Sequence, residues 1–192
     1  KTAYEIRNCD WSSDVCSSDL HIHGEELWTS DGTTAGTGLV QDIYSGGTES
    51  SNPQSLINVN GTLFFHADDG QHNRALWWKS DGTESGTVQV LDSGSFPPYP
   101  HHLTNVNGTM FFTLNDGQVG EELWKSDGTS TGTVLVKDIA EGWDSSWPYF
   151  LTNVNGTLFF QAHDSQGWGW WKSDGTSAGT VKLSQGNSLF LS

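Results

Sequence analysis

The sequence predicts an all-β chain assembled from four-stranded antiparallel sheets, on three observations. The string Ser-Asp-Gly-Thr begins at Ser30, Ser80, Ser126 and Ser173, with spacings of 50, 46 and 47 residues. The string Asn-Val-Asn-Gly-Thr begins at Asn58, Asn105 and Asn153, with spacings of 47 and 48. Nowhere does an apolar spacing of three and four persist for ten residues, so the helical pattern is absent.

Each unit reads as two hairpins. In the third unit a short strand over residues 103–106 runs into Asn107-Gly108, and a second strand covers residues 109–114. Asn-Gly favours a two-residue type I′ turn because both residues accept positive φ. A third strand over 122–125 and a fourth over 132–136 flank Ser126-Asp127-Gly128-Thr129, a turn built on Asp and Gly. Four antiparallel strands per unit follow.

The strand composition refines this. Leu63, Phe64 and Phe65, and again Leu158, Phe159 and Phe160, are consecutive apolar residues. Neighbouring side chains point to opposite faces, so both faces of the second strand seek burial. Leu76-Trp77, Leu123-Trp124 and Trp170-Trp171 repeat the demand on the third strand. A two-sheet sandwich alternates inward and outward residues instead. A sheet covered on both faces suits a blade, so the expected fold is a partial β-propeller of about three and a half repeats. The units run over about 21–52, 53–99, 100–146 and 147–192. The first supplies only its third and fourth strands, for fourteen strands in all, with residues 188–191 a candidate for one more. Propellers need roughly four blades or more, so residues 21–192 read as part of a larger ring whose missing blades are partners of the same chain.

Residues 1–20, KTAYEIRNCDWSSDVCSSDL, match nothing in the repeats. They resemble the in-frame translation of a sequencing-library adapter, and are expected to be artefactual and not folded with the rest. They form no signal peptide, lacking an apolar h-region. Setting them aside removes both cysteines, Cys9 and Cys16, and with them any disulfide framework or thiolate metal site. It also removes Lys1, Arg7, Glu5, Asp10, Asp14 and Asp19, so the net charge of −15 becomes −13.

The strings ELWTSDGTTAGT, from Glu26, and ELWKSDGTSTGT, from Glu122, closely resemble the bacterial ELWxxDGT repeat family. The second and fourth units depart from it, reading ALWWKSDGT and GWWKSDGT. The likeness spans nearly all of residues 24–183. It implies a propeller-like array in a large exported or surface-attached bacterial protein, some members being described as hyalin-like. It implies no reaction. The Ser-Asp-Gly-Thr turn is also similar, more weakly, to the Asp-box hairpin of sialidase-type propellers, whose spacing is wider and whose role is structural.

Composition excludes other classes. The longest apolar runs are three or four residues, against roughly 20 for a membrane-spanning helix, so no membrane insertion is expected. With 8 Lys and Arg against 23 Asp and Glu there is no basic patch for nucleic acid. Aromatics at 12% are too frequent for a disordered acidic tail.

Three groups of residues are candidates for function. Asp69, Asp116 and Asp164 fall nine residues after the Asn of each Asn-Gly turn, in the loop between strands two and three. They offer a rim for a cation or polar ligand; the plainer and favoured reading is Asp bonding its own loop backbone. Calcium takes six to eight oxygens and each loop supplies one or two, so it is a weak prospect and no cofactor is expected. Asp42, Asp92 and Asp138 close the fourth strands and read as turn residues. Trp28, Trp77, Trp124 and Trp171 read as one recurring packing position. Trp143, Trp147 and Trp168 break the repeat, lie in linkers or loops, and are the ligand candidates, because exposed aromatic rings stack on sugars. The histidines do not recur in a metal-binding pattern. Asn60, Asn107 and Asn155 begin N-x-T sequons, read first as turn chemistry. No nucleophile–base pair, pair of carboxylates outside the repeat, or phosphate loop appears. The expected function is a non-catalytic binding or adhesion module, extracellular or on the cell surface, with a polysaccharide or protein ligand. The alternatives are part of a glycan-active propeller enzyme with catalytic residues outside residues 21–192, or a structural spacer.

Overall fold

The computed structural model describes residues 3–5, 23–72, 75–90 and 100–185. All of its described elements are strands, grouped into one three-stranded and three four-stranded antiparallel sheets. The first sheet holds β1 (Ala3–Glu5), β2 (Leu27–Ser30) and β3 (Gly38–Gln41). The second holds β4 (Gln54–Val59), β5 (Thr62–Asp68), β6 (Ala75–Ser80) and β7 (Val88–Gln89). The third runs β8 (His101–Val106), β9 (Thr109–Leu114), β10 (Glu122–Ser126) and β11 (Val134–Lys137). The fourth runs β12 (Tyr149–Val154), β13 (Thr157–Asp164), β14 (Gly167–Ser173) and β15 (Val181–Gln185). Apart from β1, these are the fourteen strands the repeat predicts; residues 188–191 lie outside the described residues.

Ala3–Glu5 belongs to the segment expected to stand apart. It pairs antiparallel with β2 in the place a second strand occupies in the complete sheets. Pairing through backbone groups on an open strand edge is indifferent to sequence, so it says nothing of that segment's origin.

The recurrent strings are turn machinery. Asn60-Gly61, Asn107-Gly108 and Asn155-Gly156 have φ of 53° and 87°, 50° and 82°, and 50° and 85°. These are the positive values a type I′ turn requires. The Asn that opens each string closes its turn: Asn58, Asn105 and Asn153 accept at Oδ1 from Gly61, Gly108 and Gly156 N–H at 2.9–3.0 Å.

The second turn is equally determined. Asp127 Oδ1 accepts from Thr129 N–H at 2.9 Å and from its hydroxyl at 2.7 Å. Ser126 Oγ accepts from Gly128 N–H and bonds Thr133 Oγ1 at 2.8 Å. A Cβ on Gly132 would collide with the Asp127 carboxylate. The copies starting at Ser30, Ser80 and Ser173 repeat these bonds. The motif Ser-Asp-Gly-Thr-x-x-Gly-Thr is therefore explained by folding alone. Ser126 is buried, so Ser126→Ala strips the Gly128 N–H of its acceptor. It should cost about 1–3 kcal/mol in denaturant unfolding, while a cost below about 0.5 would refute the role.

Within residues 1–90, Leu27 and Val40 of the first sheet, with Ile43 just after it, pack with Leu63, Phe65 and Ala67 of the second, joined by Leu56 and Trp78. Within residues 91–192, Val106, Phe111, Leu123, Val136 and Ile139 pack with Leu158, Phe160, Ala162 and Trp171, joined by Leu151. The position equivalent to Trp28, Trp124 and Trp171 is Trp78, not Trp77. Trp78, Trp124 and Trp171 lie opposite Phe65, Phe112 and Phe160 on the second strand. Trp77 stands one residue earlier, beside Leu27 and Leu123 in the repeat, and is 1% exposed. The doubled Trp77-Trp78 hides this shift unless the register is counted back from Ser80.

Candidate functional site

The linker between the third and fourth sheets is held by a buried carboxylate. Glu122 is 0% exposed. Its Oε1 accepts from Ala140 N–H at 3.3 Å and Ser146 N–H at 2.9 Å, and its Oε2 from Ile139 N–H at 3.0 Å and Ser146 Oγ–H at 2.5 Å. Glu26 repeats the arrangement with Ile43, Tyr44 and Ser51. Burial pushes both carboxyls above the usual glutamate range, opposed by the hydrogen bonds they accept. The Glu121 carbonyl takes the Ser146 and Trp147 N–H groups, and the Ser146 carbonyl takes that of His163. The chain from residue 139 to Trp147 is thereby fixed across both sheets.

This fixed linker delivers an aromatic patch. Trp147 and Trp168 stack with centroids 6.4 Å apart at 29°. His163 lies 6.2 Å from Trp147 and 5.5 Å from Trp168, edge-on to the latter. Tyr149 meets Trp168 edge-on at 5.3 Å and Phe150 at 4.5 Å. Trp143, Trp147 and Phe150 are 78%, 51% and 62% exposed. Trp147 (φ 45°) and Phe150 (φ 58°) occupy the left-handed region, a costly conformation for bulky side chains. Their counterparts 95 residues earlier, Asn52 (φ 46°) and Ser55 (φ 56°), are small and polar. The backbone shape is thus the repeat's own, and the fourth sheet places aromatic rings upon it.

Of the predicted site residues, Trp147 and Trp168 come together. Trp143 stands on the same linker, outside the ring contacts of the patch. Tyr149, Phe150 and His163 complete the cluster and were missed by sequence reasoning. The signal was available: the second unit has Gln54, Ser55 and Asp68 at these positions and the third His101, His102 and Asn115, while Glu25, Ala75 and Glu121 stand at the position of Trp168.

Asp69 and Asp116 serve their own loops, whereas Asp164, the last residue of β13, also binds across to β15. Asp69 takes Gln71 N–H and His72 Nδ1. Asp116 takes the N–H groups of Gln118 and Val119. Asp164 pairs with Lys182 Nζ at 2.7 Å and takes Gln166 N–H. For Asp69 and Asp164 burial pushes upward, but these partners prevail and the carboxyls fall below the usual aspartate range. Lys182 reaches Asp164 across Gly169, where a Cβ would collide with its Cε. Among the described residues no three His, Cys, Asp or Glu side chains group as a metal site. Asp42 bonds His23 at 3.0 Å and Asp138 accepts from Gly142 N–H; Asp92 lies outside the described residues.

The acid groups give opposing pH effects. The Thr33, Thr83 and Thr176 hydroxyls and N–H groups hold Asp31, Asp81 and Asp174 low, so their contribution is lost as pH falls through the depressed values. Glu26 and Glu122 are raised, so stability falls as pH rises from the ordinary glutamate range through their folded values. The thermal midpoint should climb as pH falls through the raised values of the two glutamates, then drop once the turn aspartates protonate. A steady decline from pH 7 downward would contradict this.

No family model matches the chain, and no curated protein matches it. Among solved structures it is similar to the crystal structure of a puromycin hydrolase mutant complexed with PGG, with 14% identity and a TM-score of 0.52. The likeness covers 82% of this chain and 24% of that one, so the chain spans about a quarter of that structure's length. At this identity the likeness concerns the fold alone.

Proposed function

We propose that this chain is a non-catalytic ligand-binding module of an exported or surface bacterial protein, built as an ELWxxDGT-type array of propeller blades. The carrying observation is that Trp143, Trp147, Tyr149, Phe150 and His163 stand where the second unit has Thr48, Asn52, Gln54, Ser55 and Asp68 and the third has Ser95, Tyr99, His101, His102 and Asn115, so only the fourth unit is aromatic at all five places. The same backbone forms with polar residues at these places, so folding does not require the aromatic rings and they serve another end. Aromatic faces take the apolar C–H face of a sugar ring, and the net charge of −15 disfavours polyanions. A neutral polysaccharide is the ligand class this supports best. Successive four-stranded sheets with both faces apolar support the blade arrangement. With neutral β-glucan oligosaccharides as probes, Trp147→Ala and Trp168→Ala should each weaken binding about tenfold in calorimetry. Equal affinity for the parent and both variants would reject the patch as the ligand surface.

The second reading is part of a hydrolase whose catalytic residues lie elsewhere, favoured by the likeness to a puromycin hydrolase over a fraction of its length. Turnover of puromycin or glycosidic substrates by a longer protein containing this chain, and none by the chain alone, would support it.

A further inference from the structure

We propose that the open face of the fourth sheet, formed by Val154, Phe159, Trp170 and Leu183, docks a further four-stranded unit of the same repeat. The repeat itself supplies the comparison. The equivalents of Val154 are Val59 and Val106, each 6% exposed, whereas Val154 is 46% exposed. The equivalents of Leu183 are Val40, Val90 and Val136, at 6%, 5% and 4%, whereas Leu183 is 49% exposed. Phe64 and Phe111 are buried where Phe159 is half-buried, and Leu27, Trp77 and Leu123 are buried where Trp170 is half-buried.

This exposure differs in kind from that of the aromatic patch. Thr48, Asn52 and Ser55, the counterparts of Trp143, Trp147 and Phe150, are exposed as well. Val88, Val134 and Val181 are 40%, 38% and 38% exposed in three successive sheets. Those positions face solvent by design of the unit. The four positions on the open face are closed in the earlier sheets and opened in the fourth alone.

The core clusters identify what closes them. Val106, Phe111, Leu123 and Val136 are covered by Leu151, by the Leu158-x-Phe160-x-Ala162 row of a second strand, and by Trp171. Leu27 and Val40 are covered by Leu56, by the Leu63-x-Phe65-x-Ala67 row, and by Trp78. The covering element is the same both times: a following unit with Leu on strand one, Leu-x-Phe-x-Ala on strand two and Trp on strand three. The fourth sheet presents Val, Phe, Trp and Leu at the matching points, apolar throughout and suited to that element.

The test compares the chain with a version extended after Gln185 by a second copy of residues 139–185, which brings the covering pattern with it. Leu183→Asp should move the thermal midpoint of the parent chain by no more than about 1 °C, as surface changes do. In the extended chain the same change should lower it by about 5 °C or more, because a carboxylate would then enter a packed interface. Val134→Asp, at a position exposed alike in the second, third and fourth sheets, should act alike in both chains. An extended chain in which Leu183→Asp is as harmless as in the parent, or in which the added unit melts apart from the rest, overturns the proposal. Glycan binding is not read in this experiment, so its outcome stands apart from that of the ligand reading.

Discussion

Glu122→Ala is expected to destabilise the chain by about 3–5 kcal/mol in denaturant unfolding, because at least two buried backbone donors lose their acceptor at about 1–3 kcal/mol each. The reason is a count of donors. The N–H groups of Ile139 and Ala140 end on this carboxylate, as do the Ser146 N–H and hydroxyl, which are shared with the Glu121 carbonyl. Alanine supplies no acceptor, and a buried donor left unpaired costs about 1–3 kcal/mol. Glu122→Gln retains one acceptor oxygen but sets an NH₂ against the Ile139 N–H, so about 1–3 kcal/mol is expected. Because the same carboxylate fixes the linker up to Trp147, Glu122→Ala should also weaken oligosaccharide binding under conditions where the variant stays folded. A cost below about 1 kcal/mol would mean that water satisfies the linker and that the carboxylate is dispensable.

Phe160→Ala is expected to cost about 3–5 kcal/mol, and Phe159→Ala about 1 kcal/mol or less, although the two residues are adjacent. Phe160 is 0% exposed, lies in the cluster between the third and fourth sheets, and stacks on Trp171 at 6.4 Å. Phe159 points to the other side and is half-buried. Its removal leaves no closed cavity. Equal costs would show that the two faces of the sheet are packed alike, against the burial pattern seen here. The corresponding pair in the third sheet, Phe111 and Phe112, is buried on both faces at 3% and 0%, and there the two substitutions should cost similar amounts.

Much of the architecture was legible because each hairpin is specified locally. Asn-Gly demands positive φ, and Ser-Asp-Gly-Thr-x-x-Gly-Thr closes its turn with its own side chains; both act over fewer than ten residues. The bulge that puts Ser55, His102 and Phe150 at positive φ escaped notice, since the three residues share no side-chain chemistry. Nothing in the sequence marks Glu26 and Glu122 as buried. Their partners lie 17 to 25 residues away, and only the fold brings those backbone donors inward. The patch was half legible. Trp147 and Trp168 stand out as tryptophans, whereas Tyr149 and His163 join them through strand pairing, with His163 opposite Trp168 and Tyr149 opposite Gln161.

The most direct measurement is a double-mutant cycle across the two sheets of residues 91–192, pairing Leu123→Ala in β10 with Phe160→Ala in β13. Both side chains belong to one buried cluster. Consecutive sheets that bury each other's faces predict a coupling energy above about 0.5 kcal/mol in denaturant unfolding. Costs that add to within about 0.3 kcal/mol would mean the two sheets do not share a core.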